Sequence, residues 1–193
     1  MDKAYCAACG TTTEVIFTTN GSGVSAEETG RCSNCGFKVA ISSTPAPPTL
    51  SKILFERAAI VEDIDAIRLM VRDTLIQHRM CDLVDDFTHG GVFIQSLQAM
   101  AHLGRIYDLV ILDLQMPMVN GLQAASFLRN LEKKNAWVPS PILFFSSVVC
   151  DPRLQQQFQT LGPAVYLNKA TIGNKENLPE RLYQVLIALL PFT

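Results

Sequence analysis

Residues 110–122 read VILDLQMPMVNGL. The apolar run begins upstream, as YDLVILD over 107–113, and ends on a carboxylate, Asp113. Pro117 and Gly121 follow at once. A short run rich in Val, Ile and Leu predicts a strand buried on both faces, as in a parallel sheet. Proline and glycine so close behind predict a sharp turn into a helix. A charged residue at the end of a buried strand needs a partner or a purpose.

Working outward, the same alternation recurs. ILFERAAIV (53–61) predicts a strand that ends at Glu62-Asp63, and Ile67, Met70, Val71, Thr74 and Leu75 form one face of the next helix. CDLVDDF (81–87) predicts a weaker strand, with a helix over 91–103. After the strand at 107–113, a helix is expected from Gly121 to Lys133. PILFFSS (141–147) predicts the fourth strand, and Asp151-Pro152 a capped helix start with proline in the first turn. AVYLNK (164–169) predicts the fifth strand, and 177–190 the last helix. Five strands, each followed by a helix, imply an α/β doubly wound parallel sheet.

The bulk composition permits this fold. The chain has 193 residues, 48% of them hydrophobic and 18% charged, which supplies a core and argues against global disorder. A net charge of −2 gives no reason to expect a polyanion partner. The start, MDKAYCAAC, carries no apolar signal run, and no stretch is long enough for a membrane span. A cytoplasmic location is therefore expected, where paired cysteines suggest metal more than disulfides. SSTPAPPTLS (42–51) reads as a short semi-rigid linker, because three of its residues are prolines without amide donors. The expected division is a ribbon over 1–43, a linker over 44–51 and the α/β domain over 52–193.

In doubly wound sheets, ligands bind beyond the carboxyl ends of the strands. The residues there are Glu62-Asp63, Asp113, Ser146-Ser147 and Lys169. Three crowded carboxylates repel unless a cation sits among them, and hard oxygens select a hard ion such as Mg²⁺. Lys169 and the Ser146 hydroxyl then suit phosphoryl oxygens, and Asp113 becomes a nucleophile able to form an acyl phosphate. Taken singly, Asp63, Asp113 and Asp151 are equally well read as helix caps; the joint set favours phosphoacceptor chemistry.

From about Lys52 to Phe192, AIVEDIDAIR, VILDLQMPMVNGL, PILFFSS and AVYLNK follow in an order that resembles the receiver domain of bacterial two-component response regulators. The resemblance implies a flavodoxin-like (βα)₅ fold with strand order 2-1-3-4-5. It implies Asp113 as phosphoacceptor, with Asp63, Asp113 and the Gln115 carbonyl on Mg²⁺ and Glu62 orienting a metal-bound water. Ser146 takes the place of the switch hydroxyl, Lys169 pairs with the phosphoryl group, and Tyr166 matches the switch aromatic. The donor implied is a histidine kinase or a phosphotransfer protein. Two positions depart from the pattern. Ala170 follows Lys169 where many receivers have proline, which makes that turn a point of difference. Val148 is apolar, so a slowly decaying acyl phosphate is expected. A phosphate-independent receiver scaffold is the alternative. A haloacid dehalogenase-type hydrolase also uses an Asp nucleophile with Mg²⁺, but it needs a second Asp where this chain has Gln115, so no free-standing enzyme is expected.

The second signal is CAACG (6–10) and RCSNCGF (31–37), two C-x-x-C pairs separated by 22 residues. Cys6, Cys9, Cys32 and Cys35 offer four thiolates for a tetrahedral Zn²⁺, with Gly10 and Gly36 allowing tight turns. Between them, TEVIFTT alternates and runs into Asn20-Gly21, a hairpin signal. The segment resembles a zinc ribbon, and at about forty residues it depends on metal for stability. Redox dithiols are the other reading of such pairs, but their usual βαβ setting is absent. Residues 1–43 hold three basic against four acidic side chains. A zinc tetrathiolate adds about −2 more. That balance disfavours nucleic acid and points to a structural or protein-binding ribbon. Output would pass through the ribbon, or through the face of the fourth and fifth helices, to a downstream protein. A nucleic-acid-binding regulator acting through the ribbon is the competing class. Leu182, Tyr183, Leu186, Ile187 and Leu190 make the last helix apolar on more than one side, through deep packing or a partner or homodimer surface. Cys81 is expected in the core, and Cys150 after the fourth strand.

Overall fold

The computed structural model describes residues 2–20, 27–39, 53–104, 107–169 and 178–190. The expected linker, the Gly21 turn position and Ala170 lie outside these described residues.

Three antiparallel strands come first: β1 (Lys3–Cys6), β2 (Thr11–Asn20) and β3 (Glu27–Cys32), in the order β1-β2-β3. The registers Cys6↔Thr11 and Val15↔Cys32 bring the two cysteine pairs to one end of this sheet. Gly10 and Gly36 have φ of 68° and 72°. That left-handed turn costs a glycine nothing, which is why each knuckle closes on one.

The larger unit is a five-stranded parallel sheet of β4 (Phe55–Val61), β5 (Cys81–Phe87), β6 (Leu109–Leu112), β7 (Ile142–Ser146) and β8 (Ala164–Asn168). Its order is β5-β4-β6-β7-β8, which is 2-1-3-4-5 counted within the domain. Four helices connect the strands, α1 (Asp65–Gln77), α2 (Gly90–Met100), α3 (Gly121–Lys134) and α4 (Pro152–Thr160), and α5 (Leu178–Ile187) follows β8. A 3-10 turn (Ala101–Leu103) follows α2, so the expected helix over 91–103 ends as an α-helix at Met100.

Alternation along each buried strand divides the core into two layers. Ala58, Ile60, Leu109, Ile111, Leu143, Phe145 and Leu167 face one side, with Val71 and Leu75 of α1 and Leu182, Val185 and Leu186 of α5. Ala59, Val61, Val110, Leu112, Ile142, Phe144 and Tyr166 face the other, with Phe93 of α2, Leu128 of α3 and Phe158 of α4. The first layer also contains Cys6, Ala7, Ala8, Val15 and Cys32, so ribbon and sheet share one core. Cys35 packs against both layers. The ribbon therefore straddles the open edge of the sheet at β8.

The helix starts are held by their own side chains. Asn120 and Gln123 form a reciprocal capping box on α3, and Asp151 accepts from the Leu154 amide ahead of Pro152 in α4. His89 caps α2 through its ring nitrogen. Leu182, Val185, Leu186 and Leu189 are fully buried, so the apolar excess of the last helix is spent largely on packing; Ile187 remains 38% exposed.

Candidate phosphoacceptor site and cysteine knuckles

The strand ends converge as their order requires. Glu62 and Asp63 follow β4, and Asp113 follows β6, the adjacent strand. Oxygens of Glu62, Asp63 and Asp113 all lie within 4.8 Å of one another. Glu62 and Asp113 are buried, whereas Asp63 is exposed. Lys169, at the end of β8, reaches across: its Nζ lies 2.5 Å from Glu62 Oε2 and 2.8 Å from Asp113 Oδ2. The ammonium also sits 5.5 Å from the Phe145 ring centroid. Lys169 thus lies between the two buried acids, and the turn after it lies outside the described residues.

Burial holds the Glu62 carboxyl above its usual range; Lys169 opposes that shift and the Asp113 charge adds to it. Backbone donors fix the two buried acids. The Ile64 amide donates to Glu62 Oε1 (3.3 Å), and the Gln115 amide to Asp113 Oδ1 (3.1 Å). The same three acids at this spacing, with hard oxygens and one exposed member, fit a divalent cation of the Mg²⁺ type.

Ser146 is fully buried at the end of β7. Its hydroxyl oxygen accepts from the Val148 amide (3.4 Å), and its carbonyl accepts from the Lys169 amide (2.9 Å). Tyr166 is buried. Its hydroxyl donates to the Val148 carbonyl and accepts from Asn168 Nδ2, each at 2.5 Å. The ring stacks on Phe158 of α4 at 6.0 Å. The turn after β7 and the end of β8 are therefore joined through one phenol.

Sequence reasoning missed three polar residues that organise this site. Arg68 sits on the inner face of α1, where an apolar residue would suit the pattern. It donates to the Glu62 carbonyl (2.8 Å) and pairs with Asp86 and Asp65. Asn168 and Arg181 were missed as well, although an Arg inside an otherwise apolar helix face was a visible signal. The Asn168 amide donates to the Ala8 carbonyl (2.7 Å), and the Asn168 carbonyl accepts from Arg181 Nη2 (3.0 Å).

The second cluster is the cysteine set. The four Sγ atoms lie within 4.8 Å of one another, with Cys6–Cys35 at 3.6 Å and Cys9–Cys32 at 3.8 Å. A tetrahedral zinc site with bonds near 2.3 Å requires edges of about 3.8 Å. All four are free thiols. Their closest cross-pairs join the two knuckles, as one shared ion requires and as a dithiol within a single C-x-x-C does not. The Cys9 amide and the Thr13 hydroxyl donate to sulfur, at 3.4 Å and 3.2 Å. Cys32 is held well below the usual thiol range, by Cys35 first and then by Cys6 and Cys9. The geometry and donor set fit Zn²⁺. Cys81 and Cys150 are both buried, and burial pushes their thiols up to about 11 and about 12.

Comparison with known proteins agrees with the fold. A family model described as the response regulator receiver domain matches residues 58–182. The chain belongs to that family. It is similar to the peroxide stress-activated histidine kinase mak3 of Schizosaccharomyces pombe, 30% identical over 138 residues, which cover 72% of this chain and 6% of the kinase. It is also similar to the two-component response regulator ORR41 of Oryza sativa subsp. japonica, 33% identical over 91 residues, covering 47% of this chain and 65% of that protein. The match thus spans a small part of the kinase and about two thirds of the regulator. Among solved structures, the receiver domain of the histidine kinase CKI1 from Arabidopsis thaliana, complexed with Mg²⁺ and BeF₃⁻, superposes with a TM-score of 0.57. It is 20% identical, over 72% of this chain and 91% of that one. Chemotaxis protein CheY4 of Vibrio cholerae gives a TM-score of 0.52 at 22% identity, over 72% and 98%. No helix among the described residues is long and apolar enough to cross a membrane.

Proposed function

We propose that Asp113 is the phosphoacceptor of a two-component or phosphorelay system, and that a histidine kinase or phosphotransfer protein is its donor. The carrying observation is that Lys169 spans Glu62 and Asp113 within a three-carboxylate cluster. An Asp113 Oδ attacks phosphorus, the bond to the donor imidazole breaks, and the imidazole leaves with the electron pair and takes up a proton. Lys169 stands 2.8 Å from Asp113, within reach of an oxygen on a phosphoryl group attached there. The Ser146 hydroxyl is the donor proposed for a second oxygen. Asp63 and Asp113 would hold Mg²⁺ with the Gln115 carbonyl, and Glu62 would orient its water. Bound there, the ion offsets negative charge on the transferring group. Tyr166 is proposed to register the change through its bond to the Val148 carbonyl.

The cysteines are proposed to hold one structural Zn²⁺, in a ribbon spanning 1–43 and joined through 44–51 to the receiver at 52–193. Its surplus of acidic side chains supports a protein target over nucleic acid. A cytoplasmic signalling role without a catalytic output of its own follows from this reading.

Acetyl phosphate with Mg²⁺, followed by intact-mass measurement, tests it. One added phosphate and one retained zinc are expected, with no phosphate on Asp113→Asn. Equal labelling of that variant, or none of the wild type, overturns the assignment.

A further inference from the structure

The first cysteine knuckle reaches the phosphoacceptor site through a single residue. Cys6 and Cys9 bracket Ala7 and Ala8, whose carbonyls point into the receiver. Arg181 Nε donates to the Ala7 carbonyl at 2.8 Å, and Arg181 Nη2 to the Ala8 carbonyl at 3.4 Å. The same Nη2 donates to the Asn168 carbonyl, while the Asn168 amide donates to Ala8 at 2.7 Å. That last bond extends the β8 ladder on its open side, where no further strand of the sheet lies among the described residues. On the opposite side Asn168 Nδ2 reaches the Tyr166 hydroxyl, and the next residue is Lys169. The second knuckle presses on the other flank: a Cβ on Gly36 would lie 2.2 Å from Gln155 Nε2 of α4. The two knuckles together occupy the β8 edge between α4 and α5.

We propose that the ribbon is a built-in partner of this face, coupling metal at the four cysteines to the state of the Asp113 pocket. The proposal rests on the assignments of Asp113 and of the cysteines given above. Metal closes the Cys6–Cys9 turn and so presents the Ala7 and Ala8 carbonyls in register. Without it, Arg181, which is 3% exposed, loses two of its acceptors, and the Asn168 amide loses its own. A buried guanidinium and a buried amide do not tolerate such losses in place. The end of β8 therefore rearranges and carries Lys169 away from Asp113. By linkage, a phosphoryl mimic that needs Lys169 in place tightens the hold on metal by the same factor.

The full chain tests this as a closed cycle. Beryllofluoride with Mg²⁺ is titrated against zinc-loaded and zinc-free protein by isothermal calorimetry. Zinc affinity is measured by chelator competition with and without beryllofluoride. The expected result is a gain of about fivefold or more in each direction, equal in size. Arg181→Met keeps all four cysteines and should still bind zinc, yet should bind beryllofluoride about fivefold more weakly. Far-UV circular dichroism checks that the zinc-free protein and this variant stay folded. If the variant unfolds, the wild-type cycle decides alone. Identical beryllofluoride affinities with and without zinc overturn the coupling while leaving the phosphoacceptor reading intact. Failure of zinc-loaded protein to bind beryllofluoride at all overturns that reading instead.

Discussion

Lys169 keeps two buried carboxylates close together, so its removal should be felt in stability before any signalling is considered. Lys169→Met leaves Glu62 and Asp113 without their shared cation, and breaking a buried pair costs about 3 kcal/mol. The Glu62 carboxyl already lies above its ordinary value because of burial, and losing the lysine raises it further. Protonation then relieves the repulsion. Urea denaturation should show a larger loss at neutral pH than in mild acid, and added Mg²⁺ should restore part of it. Tyr107 makes a second titrating contribution. Burial, and then the charge of Asp85, push its phenol from 10.0 up to about 12. The folded protein keeps this proton longer than the unfolded chain, so the Tyr107 contribution falls away as pH rises from about 10 to about 12. Tyr107→Phe should flatten the alkaline limb of the stability curve. Val148 is half-buried and its amide donates to Ser146, and its apolar side chain is expected to give a long-lived acyl phosphate. Loss of label within seconds, without a phosphatase, would contradict it. The acids, the hydroxyl and the lysine were readable because each ends an apolar run. Arg68 works through the nearby Glu62 carbonyl and the carboxylates of Asp65 and Asp86, whereas the roles of Asn168 and Arg181 were not readable because they depend on the carbonyls of Ala7 and Ala8, far away in the chain.

Among the elements, the passage from β6 to α3 is packed against backbone. Gly121 opens α3, and a Cβ there would stand 2.2 Å from the Asp113 carbonyl oxygen and 2.9 Å from its carbon. Both belong to backbone that cannot swing aside. Gly121→Ala should cost about 2 kcal/mol and slow phosphorylation by displacing Asp113; chemical denaturation and acetyl phosphate labelling check the two effects. The opening motif is explained by the same contact: the chain turns on glycine because the acceptor loop leaves no room for a side chain. Strand identities were legible from unbroken apolar runs, as burial on both faces requires. Boundaries were less so. The strand expected over 107–113 is regular only over Leu109–Leu112, although the Asp108 and Asp113 amides still donate to the Arg57 and Val61 carbonyls of β4. Likewise the first strand of the sheet begins at Phe55, not at residue 53.

At the scale of the molecule, ribbon and receiver share one apolar cluster, which predicts a single cooperative unit. Cys6, Ala8 and Val15 belong to the same apolar cluster as Leu182 and Leu186. Calorimetry on the zinc-loaded protein should therefore show one transition. Chelation should shift that transition downward, not add a separate early one. Two resolved transitions, with the receiver peak unmoved by chelator, would contradict the shared core. Composition and motif order disclosed both modules, but nothing in either motif announced that they pack together. Proline-rich spacing suggests separation, and the contact is made by carbonyls that any residue possesses.

The pairing of Arg181 with Ala7 joins positions 174 residues apart. During synthesis the cysteine hairpin leaves the ribosome well before its docking site is made. At about 5–20 residues per second the interval is roughly 10–30 s. Through that time Ala7 and Ala8 lack their contacts with Arg181 and Asn168. Were the four cysteines to hold zinc as proposed, maturation of the protein would depend on zinc supply at translation as well as afterwards.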